Sequence, residues 1–184
     1  MLTRTGAQRI PMSKEEFFRR TQDREECLQD WEDGMGIRLM TAHSRHGFFI
    51  AELYTCLKGQ VPGGKVRIEV SVELGPRVPG PDLVVLYREH ADRLVDGRVR
   101  GVPDIIVEVL SPDSVDRDRV DKFNFYYQQG VPWYWIGDAE GGVIEEFQWS
   151  DAGYVRTASG SRQELFKPRA LPGVEIAVAD LLED

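Results

Sequence analysis

Two apolar segments of this chain hold acids that a buried strand does not carry without a reason. Asp82 opens the run Asp82-Leu83-Val84-Val85-Leu86-Tyr87, and two more acids interrupt Pro103-Asp104-Ile105-Ile106-Val107-Glu108-Val109-Leu110. A buried carboxylate with no partner costs several kcal/mol. If the two runs form an antiparallel pair folded about a midpoint near residue 95, residues whose numbers sum to about 190 face each other. Asp82 then lies opposite Glu108, and Asp104 opposite Leu86. At about 3.3 Å per residue, Asp104 is roughly 13 Å along the strand from Glu108, too far for both to hold one small cation. Asp82 and Glu108 are the geometric pair. Two carboxylates at the end of a sheet, completed by a backbone carbonyl and water, suit the octahedral shell of Mg²⁺. A cation held there polarises a phosphodiester and lowers the pKa of a bound water. A further charged group, Lys122, lies on the helix that follows the second run.

Each of these residues also has a plainer reading. An acid at the first position of a strand after proline is often a turn cap, which would account for Asp82. Glu108 could form a structural ion pair with Lys122 or with an arginine. Lys122 stands four residues after Asp118, the helical salt-bridge spacing, worth about 0.3 to 0.5 kcal/mol when exposed. Asp104 reads as structural. His46 reads as a helix cap or a satisfied core residue, and Tyr126, with Phe123, Phe125 and Tyr127, as core packing, although Tyr126 lies one turn after Lys122 and could orient it.

The elements that must position these groups are legible from pattern. Ser13-Lys14-Glu15-Glu16 has capping-box form and starts a helix running to about Arg24. Asp33-Gly34 turns a hairpin between Trp31 and Met40. Phe48, Phe49, Leu53, Cys56 and Leu57 make one amphipathic helix from Ser44 to about Leu57. Val66, Ile68, Val70, Val72 and Leu74 alternate with polar residues and predict one strand with a single buried face. The charged segment 88–102 reads as an exposed loop. A helix from Asp113 or Ser114 to Gln129 follows the second apolar run, closed by Gly130 and Pro132. Trp133 to Ile136 is a strand, and Val143–Trp149 with Tyr154–Ala158 a hairpin. A short strand over Val174–Val178 and a last helical turn from Asp180 complete the chain. The fold class is α/β, a mixed central sheet flanked by helices with extra hairpins, and no linker divides residues 1–184 into more than one domain.

Composition excludes several classes. With 184 residues, 41% hydrophobic and 29% charged, the chain can bury a core and is not intrinsically disordered. Lys and Arg number 23 against 31 Asp and Glu, a net charge of −8, so any phosphate-binding surface is local. Cys27 and Cys56 lack disulfide-framework or zinc-site spacing and suit a reducing compartment. No apolar leader or membrane-length run is present, and the expected location is cytoplasmic. HExxH, P-loop and GxSxG signatures, and GxGxxG in a βαβ setting, are absent.

Pro81-Asp82-Leu83-Val84-Val85, then Pro103 to Pro112, then Asp118-x-x-x-Lys122-x-x-x-Tyr126, then Gly130-Val131-Pro132-Trp133-Tyr134-Trp135 resemble a large bacterial family of restriction-endonuclease-like proteins, long catalogued as a domain of unknown function, within the PD-(D/E)XK nuclease superfamily. The resemblance runs, with gaps, from the first helix to Leu171-Pro172-Gly173. It implies a restriction-endonuclease-like core, dependence on Mg²⁺ or Mn²⁺, and phosphodiester hydrolysis. It implies Asp82, Glu108 and the backbone carbonyl of Val109 as metal ligands. The superfamily's lysine two positions after the second acid is Leu110 here, and the resemblance assigns its role to Lys122 on the following helix. Asp30 stands where the family tends to carry a glutamate four residues before the hairpin glycine, and His46 also matches a family position.

The leading function is a Mg²⁺-dependent endonuclease acting on DNA, with Asp82 and Glu108 holding the metal and Lys122 orienting or deprotonating the attacking water. Asp30, Asp104, Tyr126 and His46 are accessory candidates. Two other readings stand beside it: a nuclease fold that binds nucleic acid or protein without cutting, and a metal-dependent phosphohydrolase acting on a small substrate. Arg88, Arg93, Arg98 and Arg100 could form a lip for a phosphate backbone. Apolar hairpin positions expected to be exposed, such as Phe147, Trp149 and Tyr154, and the double-strand geometry common among related nucleases, suggest a homodimer.

Overall fold

The computed structural model describes residues 8–22, 28, 30–38, 44–110 and 117–182. Its elements are β1 (Gln8–Pro11), α1 (Lys14–Gln22), β2 (Asp30–Glu32), β3 (Met35–Arg38), α2 (Ser44–Lys58), β4 (Lys65–Ile68), β5 (Val72–Glu73) and β6 (Leu83–Leu86). A 3₁₀ turn (Arg88–Arg93), β7 (Leu94–Val95), β8 (Arg98–Arg100) and β9 (Ile105–Leu110) follow. After a π-helical turn (Arg117–Lys122) come α3 (Phe123–Gln128), β10 (Trp133–Asp138), β11 (Val143–Gln148), β12 (Val155–Ser161), β13 (Leu165–Phe166) and β14 (Ile176–Ala177). The main sheet has the order β12-β11-β10-β9-β6-β4, with β9 and β10 parallel and all other neighbours antiparallel. No helix among the described residues is long and apolar enough to cross a membrane.

Every residue of β6 and β9 is buried, as their unbroken apolar runs require of strands covered on both faces. Alternation sorts their side chains into two layers. Leu83, Val85, Ile105, Val107 and Val109 pack with Phe49, Ile50, Leu53 and Leu57 of α2. Val84, Leu86, Ile106 and Leu110 pack with Phe125 and Tyr126 of α3 on the other side. Glu108 lies in phase with the second set and so faces α3. The register pairs Leu83 with Val107, Val84 with Ile106 and Val85 with Ile105. Extending it one residue each way sets Asp82 opposite Glu108 and Leu86 opposite Asp104, as the loop midpoint predicts.

Three expectations need correction. The alternating run from Val66 to Leu74 is two strands, because Glu69 takes a positive φ of 48° and breaks the ladder after Ile68. Val66 packs under α2, whereas Val70, Val72 and Leu74 pack on the α3 side, and β5 pairs with β8. Alternation demands one buried face but does not say that one layer buries all of it. The charged segment 88–102 is ordered structure: after its 3₁₀ turn, β7 and β8 form a hairpin about Asp96 and Gly97, at φ 51° and 76°, and Val99 is wholly buried. Three of its four arginines are engaged close by, Arg98 and Arg100 with Glu73, Arg100 with Asp96, and Arg93 with the Val102 carbonyl. Of the hairpin aromatics expected to be exposed, Phe147 and Tyr154 instead pack edge-on against Phe123 of α3 at 5.2 and 5.0 Å, whereas Trp149 stacks on Tyr127 at 5.9 Å and stays 37% exposed.

Elsewhere the structure follows the pattern. The Ser13 hydroxyl caps Glu16 N at 3.1 Å, and Asp33 and Gly34 turn the β2–β3 hairpin at φ 48° and 73°. The expected helix start at Asp113 or Ser114, and Cys27, lie outside the described residues. Trp31 and Val78 exchange backbone hydrogen bonds of 2.9 Å, which tie the β1-β3-β2 sheet to the segment leading into β6.

Candidate active site

β6 pairs with β9 only as far as Leu83 and Val107, so the edge of β9 loses its strand partner at the next residues. Asp82 replaces it. Its Oδ2 accepts the Val109 N–H at 2.7 Å, while its backbone carbonyl accepts Glu69 N at 3.1 Å. The side chain is thus fixed at the strand's end by the ladder group it satisfies. From above, α2 can approach the sheet closely because Gly137 of β10 leaves room: a Cβ there would stand 2.7 Å from the Phe49 ring. His46 lies one helical turn before Phe49 on the same face. Its Nε2 comes within 3.3 Å of Asp82 Oδ2, and the ring also bonds to the Val109 backbone. Burial pushes the His46 pKa down, but the Asp82 hydrogen bond and charge outweigh it, helped by Val109 and the charge of Glu108, and the net result is a rise above 6.5.

Glu108 is approached from the opposite face. Only 2% exposed, it accepts hydrogen bonds at one oxygen, Oε1, from Lys122 Nζ at 2.8 Å and from the Tyr126 hydroxyl at 2.7 Å. Lys122 closes the π-helical turn and Tyr126 stands four residues on, so both project to the same side. Single π turns within helices are frequent at functional sites. Tyr126 is fully buried, and burial together with the Glu108 charge holds its phenol far above the ordinary range, with Tyr134 and Asp30 adding to the shift. The tyrosine is therefore a donor to Glu108, at the oxygen on which Lys122 also rests. Leu110, at the superfamily's usual lysine position, is a buried core residue. The Asp118 side chain lies outside the described residues.

Asp30 borders this cluster. It is 8% exposed, its Oδ1 accepts Gly80 N at 2.7 Å two residues before Asp82, and its charge reaches Tyr126. Asp104 is at the other end of β9. Its two oxygens bond Tyr87 N and His90 Nδ1, each at 2.7 Å, and it takes no part in the cluster. The pattern reading missed a fourth buried acid. Glu146, fully buried, receives Trp135 Nε1, the Thr157 hydroxyl, and the backbone N–H groups of Arg169 and Ala170. Its phase with buried Ile144 on β11 was the available signal.

The donors present suit a hard divalent cation. Asp82 Oδ1 accepts no hydrogen bond from the described residues, Asp82 Oδ2 is held by the N–H of Val109, and Glu108 precedes Val109 on β9. Among the described residues, no three His, Cys, Asp or Glu side chains converge closely enough to form a metal cluster by themselves. Backbone carbonyl and water would complete such a shell.

No protein of curated function matches this chain. The fold is similar to a crystal structure of a protein from Anabaena variabilis ATCC 29413, described as "a putative nuclease belonging to DUF820", with a TM-score of 0.67 and 16% identity over 83% of this chain and 88% of that one. A family model described as "Uma2: Putative restriction endonuclease" matches residues 15–179, from the first turn of α1 to the closing 3₁₀ turn, and spans all the site residues above. The chain belongs to the Uma2 family, whose model carries that description.

Proposed function

We propose that the protein is a divalent-metal-dependent endonuclease that hydrolyses DNA phosphodiester bonds, with Mg²⁺ or Mn²⁺ held by Asp82, Glu108 and the Val109 carbonyl. The observation that carries this reading is Lys122 Nζ 2.8 Å from buried Glu108, which stands opposite Asp82 when the β6–β9 register is extended by one residue. When bound, the cation supplies Lewis-acid polarisation of a phosphoryl oxygen and acidifies water. Asp82 is held at Oδ2 by Val109 N and His46, which leaves Oδ1 turned to a ligand. Tyr126 keeps Glu108 Oε1 in place. Lys122 rests on that same oxygen, where a phosphate bound beside Glu108 would meet it. Its ammonium there offsets charge developing on the phosphate. Two such centres, one per protomer of a homodimer, would cut both strands of a duplex.

The test is a divalent-metal titration with plasmid DNA, single-stranded DNA, RNA and nucleotides assayed in parallel. Metal-dependent nicking or linearisation of plasmid supports the reading. Hydrolysis of nucleotides alone favours a small-molecule phosphohydrolase, and metal binding without any cleavage favours a binding module. Light scattering at one-chain mass across micromolar concentrations would remove the homodimer.

A further inference from the structure

The main sheet ends at β4, and that edge is cationic. Lys65 and Arg67 lie on the strand, paired in register with Leu86 and Val84 of β6. Val66 between them is buried under α2, so by strand alternation both point away from α2. Arg88, the fourth arginine of segment 88–102, follows the end of β6 and is exposed. Gly63, at φ 74°, makes room for it: a Cβ there would stand 3.0 Å from Arg88 Cδ, which sets the arginine against the turn that leads into Lys65. Among the described residues none of the three forms an ion pair, although Glu69 and Glu89 are exposed close by in the chain, and the Arg67 guanidinium bonds the Val66 carbonyl at 2.8 Å. Cations elsewhere do meet acids, Arg9 with Glu32, Arg45 with Glu140 and Lys167 with Glu175. A chain of net charge −8 has acids to spare, and a cationic row kept free of them is open to an anion from outside. Charge on an edge strand also discourages strand addition, but either sign serves that purpose.

The row leads to the candidate site. β4 ends beside Asp82, whose carbonyl accepts Glu69 N at 3.1 Å. At about 3.3 Å per residue, Arg67 stands about 7 Å and Lys65 about 13 Å along the strands from the level of Asp82. One strand of duplex DNA rises about 3.4 Å per phosphate, so these positions fall about two and about four phosphates from a bond held at Asp82. Resting on the endonuclease reading above, we propose that the β4 edge is a docking surface for the sugar–phosphate backbone of duplex DNA, with Lys65, Arg67 and Arg88 each meeting one phosphate. Contacts of this kind set position and affinity without reading sequence. A membrane surface would need apolar side chains among the cations, and Ile68, the exposed apolar residue of β4, shares the phase of Val66 and points to the α2 side.

The experiment reads binding and cleavage separately. Binding of a short fluorescein-labelled duplex is followed by anisotropy in EDTA over a range of KCl concentrations. The variants are Lys65→Gln/Arg67→Gln/Arg88→Gln, each single change, and the charge-keeping Lys65→Arg/Arg67→Lys/Arg88→Lys. A control, Arg162→Gln/Lys167→Gln/Arg169→Gln, removes the same charge from exposed positions that follow β12 and β13. Thermal melting checks folding, and the single variants carry the test if the neutralised triple variant does not fold. The neutralised variant should bind at least about tenfold more weakly, and the slope of log affinity against log salt should flatten by about 0.9 for each cation removed. The charge-keeping variant and the control should match the wild type. With Mn²⁺, the neutralised variant should lose at least about tenfold in kcat/KM on plasmid, through KM, while bis(p-nitrophenyl) phosphate, too small to span the row, is hydrolysed at the wild-type rate. A wild type that does not bind the duplex, an unchanged slope in the neutralised variant, an equal loss in the control, or binding of phosphatidylserine vesicles in place of the duplex would overturn the inference, whatever the cleavage arm shows. Duplex binding that depends on the row, in a wild type that cuts nothing with Mg²⁺ or Mn²⁺, would uphold the docking surface and remove the endonuclease reading.

Discussion

The β6–β9 pair carries a buried acid at each end, and the two ends are built differently. At one end, Asp104 spends both oxygens on neighbours, Tyr87 N and His90 Nδ1, and so fixes the start of the 3₁₀ turn that begins at Arg88. Glu146, two strands away in the sheet, is satisfied in the same fashion by four donors, two of them backbone N–H groups that anchor the chain at Arg169 and Ala170. At the other end, Glu108 faces a lysine and a tyrosine on a π-interrupted helix, and Asp82 keeps one oxygen without a donor among the described residues. Burial alone does not separate these acids, since Asp104 is 4% exposed and Glu108 2%. What separates them is the partner: Asp104 and Glu146 spend their oxygens on donors that hold chain segments, whereas Glu108 meets a side-chain ammonium, the arrangement that our proposal reads as reactive.

The comparison breaks first, and furthest, at Glu108. In Glu108→Gln, metal binding by calorimetry and metal-dependent plasmid cleavage should fall together, the rate by about 1000-fold or more, equivalent to about 4 kcal/mol of transition-state stabilisation. Lys122→Ala should separate the two readouts: a rate loss of about 100-fold or more with metal affinity retained. Full cleavage by a folded Lys122→Ala protein would reduce the lysine to a structural counter-ion. Asp104→Ala sharpens the contrast from the opposite side. It should lower stability by about 1 to 3 kcal/mol in urea melts, because two donors lose their acceptor, while the folded fraction keeps its cleavage rate.

The smallest effect is a pH dependence. His46 carries a pKa raised above 6.5 by Asp82 against the cost of burial. A raised folded value means that its contribution to stability is fully present below about pH 6.5 and is lost as pH climbs through the folded value. The melting temperature of metal-free protein should therefore fall modestly as pH rises from about 6.5, and His46→Gln should flatten that slope.

Much of this contrast is legible in residue order, for identifiable reasons. The facing of Asp82 and Glu108 follows from the midpoint of the intervening segment, because β-pairing conserves the sum of residue numbers whatever fills the loop. The separation of Asp104 from Glu108 follows from strand rise. The roles pointed to by Lys122 and Asp30 came from family resemblance, since helical spacing alone offers Lys122 a cheaper partner in Asp118. Other features depend on choices that pattern does not encode. The break at Glu69 needs a single residue at positive φ, and the ordered hairpin at 94–100 rests on burying one valine, Val99, within a charged stretch. The approach of His46 depends on the absence of a side chain at Gly137, on another strand. Tertiary fit of this kind has no local period to reveal it.

Crystals grown without metal and soaked in Mn²⁺, with anomalous data collected at the manganese edge, test the central claim most directly. The account predicts one strong peak bounded by Asp82, Glu108 and the Val109 carbonyl, and none beside Asp104 and His90. A saturating soak with no peak between Asp82 and Glu108, or manganese held at the Asp104 end instead, would contradict it.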